Sequence, residues 1–195
     1  MEKAEALCLL AQSHSGYPQP EEKFGFLSQT YNLPDYCSKC GTGHRQVNPF
    51  RLKTAPLLKR KAMQLNWIFD EFFVSHEVWA EVFKPFGIEF WPVVLHKSGE
   101  IVESVVQLKI AQQVDLRTSA GAGTHCAICG RSKAPLDLRG FAPEPVEMPA
   151  HIYRSNQYFG SGAVAFNRIM ISAPLYREIR SAKLRGLQFY PCNQD

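Results

Sequence analysis

Two C-x-x-C-G motifs constrain the fold of this chain more than any other feature of its sequence. They run over residues 37–41 and 126–130 and contain four of the six cysteines. A C-x-x-C turn places its two sulfurs on one side of a tight loop, and the glycine that follows allows the backbone angles that the turn needs. One such turn supplies half of a tetrahedral metal site. The two motifs are therefore expected to meet in the folded chain.

The ligands of this predicted site are four thiolates. Four thiolates saturate a zinc ion, whereas a catalytic zinc keeps one position open for water and usually has histidine or carboxylate ligands. We therefore expect a structural Zn²⁺ whose binding contributes to the free energy of folding. Iron on the same sulfurs, as in rubredoxin-like electron carriers, is the alternative, and zinc is favoured because rubredoxins are far smaller than this chain. The predicted ligands are Cys37, Cys40, Cys126 and Cys129.

Four other residues are weaker candidates for the metal site. His44 and His125 lie close to the motifs, and either could replace a cysteine or donate a hydrogen bond to a sulfur. Ordinary loop histidines are the simpler interpretation. Cys8 and Cys192 belong to no pair and are expected to be small apolar or terminal residues. A redox-active dithiol or four unrelated cysteines remain as alternatives to a metal site.

Composition and charge exclude few classes of protein. The 195 residues are 45% hydrophobic, which is enough for a packed core. A net charge of +4, dispersed along the chain, does not by itself indicate nucleic acid. No apolar run approaches the roughly 18 residues of a membrane-spanning helix, and the first residues lack the basic leader of a secretory signal. Because paired cysteines indicate metal ligands in a reducing compartment, we expect a cytoplasmic protein.

The two halves of the chain carry a similar pattern, which predicts a strand, a helix and a strand in each. Ser75 and Ser172 follow apolar runs and are expected to cap the helices by accepting a backbone N–H. Gly87 and Gly186 are expected to end them. The matched pairs are Phe69 and Phe166, Val74 and Ile171, Ser75 and Ser172, Val78 and Leu175, Trp79 and Tyr176, Glu81 and Glu178, and Val82 and Ile179.

The sequence thus predicts an α+β protein of two pseudo-repeated strand-helix-strand halves, joined by a zinc-ribbon-like four-cysteine site. We expect one compact domain with a first half over residues 23–110, a linker over 111–125 and a second half over 126–195. Residues 1–22 are predicted to be peripheral, because a weakly structured Tyr-Pro-Gln-Pro-Glu-Glu stretch ends them. A strand is predicted at residues 24–28.

A basic segment beside the first motif is the candidate partner-binding surface. Some nucleic-acid-binding zinc ribbons have such a segment, so a regulator that binds nucleic acid is the alternative function. A solvated connection is the simplest interpretation. No nucleophile elbow, phosphate loop or H-E-x-x-H motif is present, and an enzyme is therefore not expected. The candidate residues are Arg51, Lys53, Lys59, Arg60 and Lys61.

The chain resembles the bacterial double-CXXCG motif family over roughly residues 24–192. Only the cysteines and glycines of residues 37–41 and 126–130 carry this resemblance specifically. Some members of that family are immunity proteins, which bind and neutralise toxins that one bacterium delivers to another. The resemblance implies a binding protein whose zinc shapes a scaffold, whose partner is a toxin domain and which has no catalytic turnover. Such proteins commonly block a toxin through a charge-complementary surface.

Overall fold

A computed structural model describes residues 4–118, 123–135 and 141–192. The structure is mixed α and β, with several sheets and few helices. The strands are β1 (Ala6–Ala11), β2 (Tyr31–Asn32), β3 (Arg45–Gln46), β4 (Arg51–Leu52), β5 (Phe73–Ser75), β6 (Phe90–Leu95), β7 (Ile101–Leu108), β8 (Gln113–Val114), β9 (Thr124–His125), β10 (Ser132–Ala134), β11 (Ile152–Phe159), β12 (Phe166–Ser172) and β13 (Leu187–Pro191).

The helices are short. Within the described residues, none has the length and apolar character needed to cross a membrane. The α-helices are α1 (Phe26–Thr30), α2 (His76–Val78) and α3 (Ala173–Ser181), and α2 continues as a π turn (Trp79–Phe83) and a 3-10 turn (Lys84–Phe86), with another 3-10 turn at Glu22–Phe24.

The N-terminal strand lies inside the larger sheet, whose strand order is β13-β1-β12-β11-β10-β9, with β8 also paired to β11. Strand β1 is antiparallel to both β12 and β13. Leu7 and Leu9 enter one core, and Ala6 and Cys8 enter the core on the opposite face. The prediction that residues 1–22 are peripheral is therefore wrong for this strand. Its almost continuous apolar run is typical of a strand buried on both faces.

A second sheet has the strand order β4-β6-β7-β5, and β2 pairs with β3 in a separate ribbon. Strand β7 is antiparallel to β5 and to β6, so it lies between them as β1 lies between β12 and β13. The largest core combines side chains from both sheets with apolar residues of the helical segments. Its members include Leu7, Leu9, Val74, Val78, Val82, Val106, Ile171, Leu175 and Ile179.

The predicted serine caps are confirmed. Ser75 accepts a hydrogen bond from the N–H of Val78, and Ser172 accepts one from the N–H of Leu175. Gly87, with φ +72°, ends the first helical segment as predicted. The prediction for Gly186 is wrong, because α3 ends at Ser181 and Ala182 is its C-cap. Residues 24–28, predicted as a strand, instead end a 3-10 turn and begin helix α1. The predicted linker over residues 111–125 contains β8 and β9, and its residues 119–122 lie outside the described part of the chain.

Candidate metal centre

Each C-x-x-C-G motif forms the same kind of hydrogen-bonded turn. In the first, the N–H of Gly41 donates to the carbonyl of Cys37 at 2.7 Å, and in the second the N–H of Gly130 donates to the carbonyl of Cys126 at 2.9 Å. Gly41 has φ +80° and Gly130 has φ +75°. These are left-handed angles that side chains disfavour. The glycine in each motif is therefore a requirement of the turn.

The two turns meet, as the sequence predicts. The sulfurs of Cys37 and Cys126 lie 3.9 Å apart and those of Cys40 and Cys129 lie 3.5 Å apart. All four sulfurs lie within 4.8 Å of one another. A tetrahedral ion at about 2.3 Å from each sulfur requires sulfur–sulfur distances of about 3.8 Å. The observed separations are much longer than the roughly 2.0 Å of a disulfide and close to that tetrahedron. Four cysteines could thus hold one metal ion here.

The surroundings favour the thiolate at two of the four sulfurs, those of Cys40 and Cys126. Burial raises the pKa of Cys40, but hydrogen bonds from the hydroxyl and N–H of Thr42 outweigh burial and lower that pKa to about 6. The N–H groups of Cys129 and Ile128 lower the pKa of Cys126. At Cys37 the N–H of Cys40 lowers the pKa, but burial and the neighbouring thiols of Cys40 and Cys129 raise it above its usual value. Three of the four cysteines are buried and Cys129 is half-buried. A divalent ion on four thiolates leaves an excess of negative charge, which nearby N–H groups and cations can offset.

Two cations that follow the second turn reach into the first turn and would offset part of the negative charge of such a site. Lys133 is buried, and its Nζ donates to the carbonyls of Cys40 at 3.0 Å, Gly162 at 2.6 Å and Val164 at 3.1 Å. Arg131 donates from Nη1 to the carbonyl of Asp35 at 2.7 Å. Sequence reasoning missed both residues. Their position shortly after the second motif was the available signal, because the two motifs were expected to meet.

The weaker candidates lie outside the sulfur cluster. His44 Nδ1 lies 3.2 Å from the carbonyl oxygen of Gly41, and His125 Nδ1 lies 2.9 Å from the hydroxyl of Ser132. Cys8 and Cys192 lie together in another core. Burial raises the pKa of Cys8 to about 11 and that of Cys192 to about 12. Both thiols stay protonated at neutral pH, and neither belongs to the group of four sulfurs.

The basic segment is not a continuous surface. The guanidinium of Arg60 donates to both carboxylate oxygens of Glu81, at 2.7 and 3.2 Å, and also to the carbonyl of Ala182. Arg51 is half-buried in β4. Lys61 is also half-buried and forms an isolated β-bridge with Arg185. The remaining two members of the segment, Lys53 and Lys59, are exposed.

A buried ionic cluster between the halves was not predicted from the sequence. Glu71 Oε1 accepts from Arg154 Nη2 at 3.0 Å, and Glu71 Oε2 accepts from Gln107 at 2.8 Å. Asp70 lies on the other side of the same guanidinium, with its Oδ2 4.0 Å from Arg154 Nη1. Burial raises the pKa of Glu71 despite the guanidinium. The cluster joins residues that are far apart in sequence, which no local pattern could indicate.

Comparisons with known proteins do not identify this chain. No protein-family model matches it, and no curated protein and no solved structure is significantly similar to it. The resemblance to the double-CXXCG motif family therefore rests on the two motifs alone.

Proposed function

We propose that this protein is an immunity protein, which neutralises a cognate bacterial toxin by binding it and catalyses no reaction of its own. The observation that carries the proposal is the four-cysteine cluster, in which the sulfurs of Cys40 and Cys129 lie 3.5 Å apart. A metal held by four sulfurs has no open position for water or substrate, so it serves to build a scaffold. A scaffold that presents a rigid surface suits inhibition by binding.

The metal in this proposal is Zn²⁺. Zinc accepts four thiolates in a tetrahedron without a preferred electronic geometry, and such closed sites are typical of structural zinc. The cations of Arg131 and Lys133 beside the turns support a site that carries permanent negative charge. Iron would bind the same four sulfurs, but the protein would then be coloured by sulfur-to-iron absorption.

We infer that the two halves are pseudo-repeats of one strand-helix-strand unit. Equivalent aromatic pairs support this, because the rings of Trp79 and Phe90 lie 4.5 Å apart at 70° and those of Tyr176 and Phe189 lie 4.9 Å apart at 75°. The sheets support it further, because β1 lies between β12 and β13 as β7 lies between β5 and β6. The first helix departs from the second at Trp79, where it continues as a π turn. Pro85 follows that turn and lacks the N–H that a regular α-helix would need.

The exposed part of the basic segment is a candidate toxin contact. Lys53 and Lys59 could meet an acidic patch on the toxin. Replacing both with serine is expected to slow association and to reduce its dependence on salt. A toxin affinity and association rate equal to those of the unchanged protein would remove these two residues from the proposal.

The test is protection of cells by co-expression. The partner to use is the C-terminal domain of a large secreted protein encoded immediately beside this chain. Cells that produce the toxin domain should grow when this protein is present, and they should die when it carries Cys40→Ser with Cys129→Ser. A Cys8→Ser variant is the control, because Cys8 lies outside the cluster. Death at the same rate with and without the protein would reject the proposal, as would tight, salt-sensitive binding of DNA or RNA in place of the toxin.

A further inference from the structure

A pocket of about 340 Å³ opens beside the first metal-binding turn. Aromatic side chains from three parts of the chain form its walls, and Gly41 and His44 of the turn contribute to its rim. This volume lies at the small end of the range for ligand pockets and suits a single side chain of a partner. The lining residues that matter are Phe24, Phe26, Tyr36, Trp67, Phe69 and Asp70.

The outer aromatics of this pocket are exposed and strained. Phe24 is 51% exposed and Trp67 is 40% exposed, although large apolar residues are usually buried. Their rings lie 4.8 Å apart, and Tyr17 packs on Trp67 at 4.7 Å. Both residues have positive φ, +56° for Phe24 and +71° for Trp67, which is rare for bulky side chains. Strain of this kind concentrates at binding sites, and here it accompanies two aromatic side chains that remain partly exposed to the solvent.

The lining of the pocket includes one acidic side chain, which belongs to Asp70. Its side chain is 9% exposed, and its Oδ2 accepts a hydrogen bond from the N–H of Asn167 at 3.0 Å. The guanidinium of Arg154 lies nearer to Glu71, at 3.0 Å, than to Asp70, at 4.0 Å. Asp70 is thus the less closely paired of the two carboxylates, and the guanidinium compensates its negative charge only in part.

We propose that this pocket binds an arginine side chain of the protein partner, with the guanidinium stacked on Trp67 and Phe24 and directed at Asp70. Arginine fits better than lysine because its planar, weakly hydrated guanidinium stacks on aromatic faces and also binds carboxylates. An apolar side chain would desolvate the carboxylate of Asp70 further and offer it no hydrogen bond beyond the one from Asn167. This inference rests on the proposed function only in taking the partner to be a protein.

The first experiment uses capped arginine, N-acetyl-arginine methylamide, as the probe, with capped citrulline as its neutral isostere and capped leucine as an apolar control. Binding is followed by NMR through the indole N–H signal of Trp67, which a Trp67→Phe variant assigns. We expect a saturable shift of that signal with arginine, about tenfold weaker binding of citrulline, and no shift of the indole of Trp91, which lies outside the pocket. Equal binding of arginine, citrulline and leucine, or no shift of the Trp67 signal, would overturn the inference.

Two variants separate the contribution of the carboxylate from that of the aromatic rings. Asp70→Asn keeps an oxygen that can accept from the N–H of Asn167 but removes the charge, and it should weaken arginine binding about tenfold. Phe24→Leu changes an exposed ring and should weaken binding without unfolding the protein. Binding of arginine that Asp70→Asn and Phe24→Leu both leave unchanged would also overturn the inference.

The same variants distinguish this inference from the proposed function. If capped arginine binds but cells are not protected from the toxin, the proposed function fails and the pocket stands. If cells are protected and Phe24→Leu leaves the toxin affinity unchanged while arginine does not bind, the pocket fails and the proposed function stands.

Discussion

The carboxylate of Asp70 accepts a hydrogen bond at 3.0 Å from the backbone N–H of Asn167, a residue 97 positions later in the chain. Next to this pair, the rings of Phe69 and Phe166 lie 5.8 Å apart. These contacts join the same two halves that the cysteine turns join. The halves are therefore held together at the proposed metal site and also at a second place that needs no metal.

The glycines of the two turns offer a matched pair of substitutions. A Cβ on Gly41 would lie 2.1 Å from the carbonyl oxygen of Ala163, whereas a Cβ on Gly130 would meet no atom within 4 Å. Both positions have left-handed angles, so Gly130→Ala should reduce the free energy of unfolding by about 1–2 kcal/mol. Gly41→Ala should reduce the free energy of unfolding by about 2–5 kcal/mol, because the backbone at Ala163 must also move. Urea unfolding at one fixed zinc concentration measures the stability of both variants. Equal losses of stability would contradict the close approach of Gly41 to Ala163.

A second matched pair of substitutions tests whether the N-terminal strand is part of the core. Leu7 is fully buried, and Leu57 is 85% exposed. Leu7→Ala should destabilise the protein by about 2–5 kcal/mol, because it removes buried methyl groups and leaves a cavity. Leu57→Ala should change the free energy of unfolding by no more than about 0.5 kcal/mol. Thermal and urea unfolding give both values. A Leu7→Ala variant as stable as the Leu57→Ala control would mean that β1 is peripheral after all.

The sequence predicts correctly those features of the structure that depend on local chemistry. The motif spacing indicated that Cys37 and Cys40 would meet Cys126 and Cys129, because each turn is chemically incomplete alone. The serine caps and the Phe69–Phe166 match were likewise available from short patterns.

The rest depends on contacts between distant segments. Strand β1 is central only because β12 and β13 come to lie on either side of it, and no signal within residues 1–22 names those partners. The pairing of Glu71 with Arg154 and the pocket around Trp67 depend on the same long-range assembly. Sequence patterns indicate which residues are apolar or charged, and they do not indicate which distant residues those will contact.

The pair of Arg60 and Glu81 predicts a pH effect. The hydrogen bonds from Arg60 lower the pKa of Glu81 below its usual value near 4.5. A lowered carboxyl pKa in the folded state contributes stability that is present above that usual value and is lost as the pH falls through the lowered one. In Arg60→Gln, the pKa of Glu81 should rise towards its usual value, which NMR titration of the side-chain carboxyl measures. Lys59→Gln is the control and should leave that pKa unchanged. An unchanged Glu81 pKa in Arg60→Gln would contradict the ion pair.

Thiol accessibility should separate the six cysteines into two classes. Cys8 and Cys192 are buried with pKa values raised to about 11 and 12, so at pH 8 they stay protonated and react slowly with a disulfide reagent such as DTNB. The other four should react only after a chelator removes the metal. We therefore expect about four fast thiols per chain with the chelator, almost none without it, and all six in denaturant. Six fast thiols in the native protein without chelator would be incompatible with the structure.

The metal content of the purified protein tests the central claim most directly. Native mass spectrometry of the chain, purified under reducing conditions without added metal, should show one zinc ion per chain. The double variant Cys37→Ser with Cys126→Ser should show none, and Cys8→Ser should retain the full amount. A chain that carries no stoichiometric metal, or zinc retained by the double variant, would contradict the account.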